Sequence, residues 1–479
     1  MNDYKKVKNV SNKDNSGDEL LGVDLSNQSI KLISKSLLNF TEITTLILNN
    51  NEIEEIPKDI CMLKKLEKLD LSYNKIQGIP SEIGRLINLK EFFINNNLIT
   101  EVPMELGTLY KLENFNISNN PLIGSFNTMA RENSLLRYCR ENNTKYSMPC
   151  DRVWIDTVLK IETNEETYSV GSYNTLCSFY ATKLTYAPSW VINTECRKNI
   201  LLQLFVAVNM DILCIQELDI NLYNTFYKES MSTKLDYESF FVSKKSFDYN
   251  TDSVKKLYGI GIFWKRNRFT LIEQITIDFY SKIIADKRFK YLSDVISRNS
   301  NKMNLGIVAV LETENTTLIV VNTHLYWHPD YNDVKAIQTV ILLEEIDSIK
   351  EKYGKNCAVV LAGDFNSLKY SHVYNFIKNK QLDPTVFSDF DYGVLNNGNY
   401  KSKISFSDAY DDQNLTFTNF TPHFCGVLDY IFYTSNLNLI GVISPIEEEY
   451  IDRTIGLPNI HFPSDHILIG AKFQLKNNK

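Results

Sequence analysis

Apolar residues follow two different rhythms along this chain, and the change between them divides it. Early on they recur in short alternating blocks. Leu46-Ile47-Leu48-x-x-Asn51 returns as Leu69-Asp70-Leu71-x-x-Asn74, as Phe92-Phe93-Ile94-x-x-Asn97 and as Phe115-Asn116-Ile117-x-x-Asn120. The Asn positions keep a constant step (74 − 51 = 23, and likewise to 97 and 120), and Pro57, Pro80 and Pro103 keep the same one. A weaker copy, Val23-Asp24-Leu25, sits one period upstream. Each block predicts a short strand whose alternate apolar residues face inward. Each Asn then turns its amide in, to bond backbone groups left unpaired at the bend. This period and this L-x-L-x-x-N core indicate a leucine-rich repeat solenoid, in which stacking supplies the core that no repeat has alone.

Leu135-Leu136-Arg137-Tyr138-Cys139-Arg140 predicts a capping helix that closes the solenoid, and Asn142-Asn143-Thr144 breaks it. Met148-Pro149 precedes the next strand, so the boundary falls between Asn142 and Trp154. Beyond it the rhythm changes to continuous apolar runs, each carrying a polar residue at or near its end. Ser169-Val170-Gly171-Ser172-Tyr173 ends in Asn174, Asp211-Ile212-Leu213-Cys214-Ile215-Gln216 in Glu217, and Thr317-Leu318-Ile319-Val320-Val321-Asn322-Thr323 in His324. Val360-Leu361-Ala362-Gly363 runs into Asp364-Phe365-Asn366, Val427-Leu428-Asp429-Tyr430-Ile431-Phe432 holds Asp429, and Pro463-Ser464-Asp465-His466 leads into Ile467-Leu468-Ile469. The mixed, charged segment Ser281 to Asn304 reads as an insertion with a helix at Tyr291-Leu292-Ser293-Asp294-Val295-Ile296. The organisation expected is a disordered tail over 1–18, repeats over 19–145 and a second domain over 150–479.

Composition changes this picture little. A chain of 479 residues with 43% hydrophobic content suits two globular domains. The first 18 residues are polar and expected to be disordered. No apolar run approaches the ~20 residues of a membrane helix, and Met1-Asn2-Asp3-Tyr4 starts no secretory signal. The eight Cys form no C-x-x-C pair, and Cys177 and Cys214 lie within strand-like motifs, so free buried thiols are expected. The net charge of −7 argues against a long nucleic-acid footprint and for a short contact with few phosphates. Lys244-Lys245, Lys255-Lys256 and Lys265-Arg266-x-Arg268 read as solvated basic faces.

The chemistry lies at the strand ends, where α/β folds assemble sites. Gly363 is expected to turn the backbone tightly, and an extended chain beyond it would put Asp364 and Asn366 on one side. A carboxylate and an amide at a strand tip suit a phosphate: one polarises water or binds a cation, the other bonds an oxygen. Gly-Asp-x-Asn alone is a weak signal, since Asp and Asn close many turns. Its weight comes from the other strand-end groups. Neighbours in a strand point oppositely, so His466 is paired with Asp429 rather than Asp465, the carboxylate fixing the imidazole's tautomer and supporting its charge.

In that order Asn174, Glu217, His324, Asp364-x-Asn366, Asp429 and Asp465-His466 resemble the endonuclease/exonuclease/phosphatase superfamily, the fold of pancreatic-type DNases and inositol phosphatases. The resemblance runs from about Asp151 to the C-terminus. Finer matches are Tyr173-Asn174-Thr175-Leu176-Cys177, Tyr180-Ala181-Thr182, Pro188-Ser189-Trp190, Trp327-x-Pro329, Asp333-Val334-Lys335, Gln338-Thr339 and Phe417-Thr418-Asn419-Phe420-Thr421. Together these are similar to the poly(A)-shortening nucleases of the carbon catabolite repressor 4 type. The implied fold class is α/β: an N-terminal leucine-rich repeat solenoid followed by a four-layer α/β sandwich. The implied activity is a 3′–5′ exoribonuclease acting on single-stranded poly(A) RNA and releasing 5′-AMP. Carboxylates and amides without thiolates favour hard cations, so Mg²⁺ is expected, in two sites, with Mn²⁺ as a substitute.

The resemblance also assigns roles. Glu217, Asp364 and Asp465 are the expected metal ligands, with Asp364 or His466 as the base. Asn174 and Asn366 hold phosphate oxygens or bound waters, and His324 contacts the scissile phosphate from the opposite side. Phe424 and Pro329 sandwich the terminal adenine, with Asn419 near the same base. The repeats dock a second, unrelated deadenylase and, through it, the scaffold of the Not-type complex, in cytoplasm and nucleus. The sequence departs from the pattern at Ser246 to Leu257, where a family acidic contact near Ser253 is missing, and at Met303, where an acid is expected. A phosphatase or nucleotide-cofactor hydrolase on the same fold, and an inactive scaffold, are the alternatives.

Overall fold

A computed structural model describes residues 8–13, 19–143, 148–157, 166–244, 258–314, 316–354, 356–398 and 400–476. The chain divides into two compact units: the first holds the repeats together with Leu184–Val191 and Arg453–Ile455, and the second holds the rest from Met148 onward.

In the first unit the repeat strands Ile43–Ile47, Lys68–Asp70, Glu91–Phe93 and Asn114–Asn116 stack in parallel, in chain order, after Glu19–Asp24. Leu46, Leu48, Leu69, Leu71, Phe92 and Ile94 are fully buried between the sheet and the 3-10 turns Lys58–Met62, Ser81–Arg85 and Met104–Thr108. Each turn follows Pro57, Pro80 or Pro103, whose ring pre-sets the φ of −68° to −72° found there. The conserved step of Asn builds a ladder. Asn97 donates to the carbonyls of Leu71 at 3.0 Å and Ile94 at 3.1 Å and accepts from the Ile76 N–H at 2.9 Å. The helix Leu135–Asn142 caps the array with Leu135 and Cys139. It passes so close to Gly107 that an added Cβ would lie 2.1 Å from the Arg140 nitrogen.

One expectation fails here. Lys8–Lys13, read as disordered tail, is extended and pairs antiparallel with Glu19–Asp24. The first strand of a solenoid has an open edge of backbone donors and acceptors, and a polar segment satisfies these as well as an apolar one does. The remaining tail residues, 1–7 and 14–18, lie outside the described residues.

Asn97→Ala tests the ladder. It leaves the Ile76 N–H unpaired inside the solenoid, while the Leu71 and Ile94 carbonyls keep the amides of Asn74 and Asn120. The expected cost is about 1–3 kcal/mol for a buried group that water cannot reach, read from urea unfolding by circular dichroism. A loss under about 1 kcal/mol would mean that water enters and replaces the amide.

The second unit packs two sheets face to face. One has the strand order Tyr237–Ser243, Tyr258–Lys265, Ile212–Asp219, Thr167–Asn174, Ile469–Leu475, Leu437–Ile443 and Trp154–Asp156. The other runs Thr270–Asp278, Leu305–Glu312, Thr317–His324, Ala358–Asp364, Asp429–Tyr433 and Ser407–Asp408. Val170, Ile212, Ile260, Ile262 and Trp264 from the first sheet interleave with Ile307, Leu318, Val320, Val360 and Ile431 from the second. The helices Thr194–Val208 and Lys228–Leu235 cover one outer face. Asn332–Tyr353 and His372–Asn379 cover the other, which completes four layers. The central strands of both sheets are covered on both faces and read as continuous apolar runs, whereas the edge strand Thr270–Asp278 alternates. The inserted helix occupies Ser293–Asn299, preceded by Phe279–Ala285. All eight cysteines are free, and Cys177 and Cys214 are buried.

Candidate active site

Strand register assembles the site. In the second sheet His324 stands opposite Asp364, and Asp364 opposite Asp429, so three polar side chains share one level of one sheet. In the first sheet Asn174 stands opposite Gln216, one residue short of Glu217. A β-bulge corrects this: Gly259 pairs with Leu218 but Gly261 pairs with Ile215, and Glu217 takes a left-handed φ of +54°. The bulge re-aims Glu217 to the side of Asn174, whose Nδ2 lies 3.4 Å from Glu217 Oε1 and 2.9 Å from Asp364 Oδ2.

The turn after Asp364 differs from the extended chain expected. Asn366 has a φ of +47°, and its N–H donates to Asp364 Oδ1 at 2.9 Å. Its side chain donates to the Leu325 carbonyl at 3.1 Å instead of lying beside the Asp364 carboxylate. Asn tolerates this conformation and closes the turn on itself. Gly363 does not make the turn. It sits in the strand with φ +146°, where a Cβ would lie 2.1 Å from the Thr323 carbonyl oxygen, so glycine is required by close approach.

His466 Nδ1 lies 2.7 Å from Asp429 Oδ2, the pairing read from the sequence. Burial opposes a charge on His466, but Asp429, with Asp364 and Asp465, overcomes it and lifts the imidazole to about 10. His466 is therefore an imidazolium at neutral pH. Its Nε2 faces Asp364 Oδ2 at 3.7 Å. Burial, then Asp429, pushes Asp364 up to about 7 against the pull of His466 and the hydrogen bond from Asn174. Burial and Asp465 push Glu217 up in the same way. His324 is held well below its ordinary value by burial, Lys244 and His466, so it is neutral. Its Nε2 lies 3.6 Å from Asp364 and 3.9 Å from Glu217, and its buried Nδ1 has no hydrogen-bond partner among the described residues.

Two lysines that the sequence reading named without a role at the site belong to it. Lys244, read as a solvated basic face, is half-buried, donates to the Tyr258 hydroxyl at 3.1 Å and faces Glu217 and Asp364. Burial lowers it to about 8 against the pull of those carboxylates. Its neighbours Lys245, Lys255 and Lys256, and the loop Ser246 to Leu257, lie outside the described residues. Lys335 is buried, donates from Nζ to the Asn366 carbonyl at 3.0 Å, and is likewise lowered to about 8 by burial. Its signal was a lone cation within the apolar run Val334-x-Ala336-Ile337. Arg197 was missed. Its guanidinium donates to the backbone carbonyls of Pro463, Thr175 and Leu176, fixing the segments that carry Asn174 and His466.

Above these groups opens a cleft of about 500 Å³, whose lining joins the polar Glu217, His324, Asp364, Lys335, Asp465 and His466 to the apolar Trp327, Pro329, Leu368 and Phe424. Phe424 begins the hairpin strand Phe424–Gly426, which pairs with Asn419–Thr421. Asn419 reaches the cleft from that hairpin and donates to the Asp465 carbonyl at 3.3 Å. All the candidate residues thus meet around one cavity, except that Asp429 lies behind His466 and Asn366 turns its amide to Leu325.

Asp364, Asp429 and His466 present ligand-type atoms within 4.8 Å of one another. The three do not make a ligand set, because a charged imidazole bonded to Asp429 has no lone pair to offer. Glu217 and Asp364 supply the carboxylate oxygens that a hard divalent cation takes, while Asn174 turns its Nδ2 to both of them and accepts the Leu176 N–H on its Oδ1, and burial keeps the nearby Cys177 thiol protonated.

Residues 171–466 match the sequence model of the endonuclease/exonuclease/phosphatase family, and residues 41–99 and 64–122 match the leucine-rich repeat. A protein of Enterocytozoon bieneusi, named a probable CCR4-Not complex 3′-5′-exoribonuclease subunit Ccr4, is 61% identical over 361 residues, or 75% of each chain. The chain belongs to the Ccr4 family of endonuclease/exonuclease/phosphatase proteins. A Ccr4 subunit of Candida albicans is 35% identical over 75% of this chain and 49% of its own length. The solved structure of ANGEL2, a 2′,3′-cyclic phosphatase, shares the fold at 23% identity, with a TM-score of 0.55 over 68% of this chain and 99% of that one. A Ccr4-family chain with this hydrolase fold is an enzyme.

Proposed function

We propose that the protein is a Mg²⁺-dependent 3′–5′ exoribonuclease that shortens poly(A) tails and releases 5′-AMP. The observation that carries this reading is the mixed lining of one cleft: its buried acids and cations suit a phosphodiester, and Trp327, Pro329 and Phe424 suit bases. A phosphatase of small molecules has no use for those three.

In this reading Asp364 accepts the proton of the attacking water, since a carboxyl lifted to about 7 is a better base than an ordinary one. The His466 imidazolium, fixed by Asp429, and Lys244 face the charge that develops on the phosphate. The P–O3′ bond breaks, the leaving oxygen takes a proton, and the terminal nucleotide departs as 5′-AMP. Glu217, Asp364 and Asp465 would hold the cation, Mg²⁺ or Mn²⁺, one ion or two, with Asn174 orienting the Glu217 and Asp364 carboxylates through its Nδ2. The bound cation supplies phosphate neutralisation and polarisation of water.

The test is a 5′-labelled RNA with a 3′ oligo(A) tail. Stepwise shortening with Mg²⁺, arrest by a chelator and AMP as product are expected. Removal of a 3′-terminal phosphate without shortening would favour the phosphatase alternative. We also assign the outer face of the repeat strands to docking of a second deadenylase subunit, and through it the Not-type scaffold, in cytoplasm and nucleus. That face carries Lys68, Glu91 and Phe93, with Lys68 and Glu91 paired at 2.6 Å. Among the described residues no helix is long and apolar enough to cross a membrane. Reversing the charge of Glu91 and truncating Phe93 should abolish co-purification of that subunit and leave cleavage of short oligo(A) unchanged. Full capture would place the docking surface elsewhere.

A further inference from the structure

Trp327 is 62% exposed, on the wall of the cleft that also holds Pro329 and Phe424. A large exposed ring contributes nothing to the core, and Phe424 with Pro329 already provides two faces for one base. The loop that carries it is unusually well braced. Leu325 to Tyr331 has no regular secondary structure, yet the Tyr326 N–H donates to Gln338 Oε1 at 3.1 Å. The Tyr326 hydroxyl accepts from Lys302 Nζ at 2.9 Å, and that ammonium lies 4.4 Å and 4.8 Å from the ring centres of Tyr326 and Tyr331. These two rings meet edge to face at 5.2 Å. Arg298 lies 3.9 Å over Tyr331 and 4.2 Å over Phe390, and forks onto Asp333 at 2.6 Å and 2.8 Å. The Tyr392 hydroxyl donates to the same carboxylate at 2.7 Å.

Arg298 and Lys302 both come from the charged insertion between residues 281 and 304. They pin the loop on both sides of Trp327 and leave its ring in solvent, beside the exposed Pro329 and Asp330. A ring fixed in place by its neighbours gives up little entropy when something stacks on it, which is what a binding platform requires.

We propose that Trp327 is a second stacking platform, taking the base of the nucleotide next to the 3′ end, and that the insertion serves to hold it. The inference rests on the exoribonuclease reading of the same cleft. One base enters between Phe424 and Pro329, and the preceding base stacks on the ring two residues upstream along the loop. Two stacking surfaces spaced along one strand select single-stranded, stacked RNA without a long basic footprint, consistent with the net charge of −7.

The test is a coupling measurement on the full chain. Binding is read by fluorescence anisotropy of labelled oligo(A), and cleavage by the labelled-tail assay. RNAs abasic at the terminal or at the penultimate position are compared with intact oligo(A). Trp327→Ala should weaken binding and raise KM about tenfold to a hundredfold with kcat little changed, and Trp327→Phe should restore most of it. The penultimate abasic site should cost the wild type the same factor and cost Trp327→Ala nothing further, because the partner is already gone. Phe424→Ala should couple in the same way to the terminal position only. Independent, multiplying losses for Trp327→Ala and the penultimate site would overturn the proposal, as would coupling of Trp327 to the terminal base. If the wild type shortens no oligo(A), the exoribonuclease reading fails first, and the binding data then show separately whether Trp327 contacts RNA at all.

Discussion

Asp364→Asn is expected to lower kcat for oligo(A) shortening by about 10²–10⁴-fold while leaving the fold intact, because it removes the base and a cation ligand without opening a cavity. The same substitution should stabilise the cation-free protein at pH 8. Burial and Asp429 raise Asp364 from 3.8 to about 7 in the folded state. Between those values the folded protein binds more protons than the unfolded chain, so stability falls as pH rises through that window. Above pH 7 the charged carboxylate carries its full penalty, on the order of a few kcal/mol, and the amide escapes it. Urea unfolding in a chelator at pH 4 and pH 8 checks both signs. Retention of more than a tenth of wild-type kcat would remove Asp364 from the mechanism.

Asp429→Asn should be nearly as damaging, through a residue that does not line the cleft. Asp429 is what overcomes burial and lifts His466 from 6.5 to about 10. With an amide there, the imidazole falls toward its ordinary value or below, is neutral at pH 8 and loses its fixed tautomer. Serine proteases lose about 10⁴-fold from the analogous Asp-to-Asn change, which sets the scale of the expected drop in kcat at about 10²–10⁴-fold. Histidine-selective NMR should find His466 charged at pH 8 in the wild type and neutral in the variant. A raised histidine pKa stabilises the fold fully below about 6.5, and that contribution is lost as pH rises through about 10. The variant should lose that alkaline dependence. An unchanged imidazole titration would mean that Asp364 and Asp465 alone hold the charge.

The two rhythms of apolar residues carried the architecture because each element buries its own side: one face per repeat in the solenoid, both faces in the sandwich strands. The pairing of His466 with Asp429 was legible because alternation along a strand excludes Asp465. Register and backbone irregularity were not legible. Nothing in Gln216-Glu217-Leu218 announces a bulge, and nothing in Asp364-Phe365-Asn366 announces that Asn366 turns left-handed and bonds Leu325. The same reasoning misplaced Lys244 and gave Lys335 no role, since local charge patterns say nothing about which lysine a distant carboxylate will draw into a buried site. The added strand Lys8–Lys13 was missed because its pairing is a property of the open sheet edge and not of its own side chains.

The left-handed backbone at Glu217 has a consequence for anyone improving this protein. The residue is not glycine, yet it occupies a φ that glycine adopts without strain. A screen ranked by melting temperature alone would therefore be drawn to glycine at this position, where relief of backbone strain and removal of a buried acid both favour the native state. Its winners would be well-folded proteins with an empty workbench: thermal robustness and turnover pull in opposite directions at the same residue.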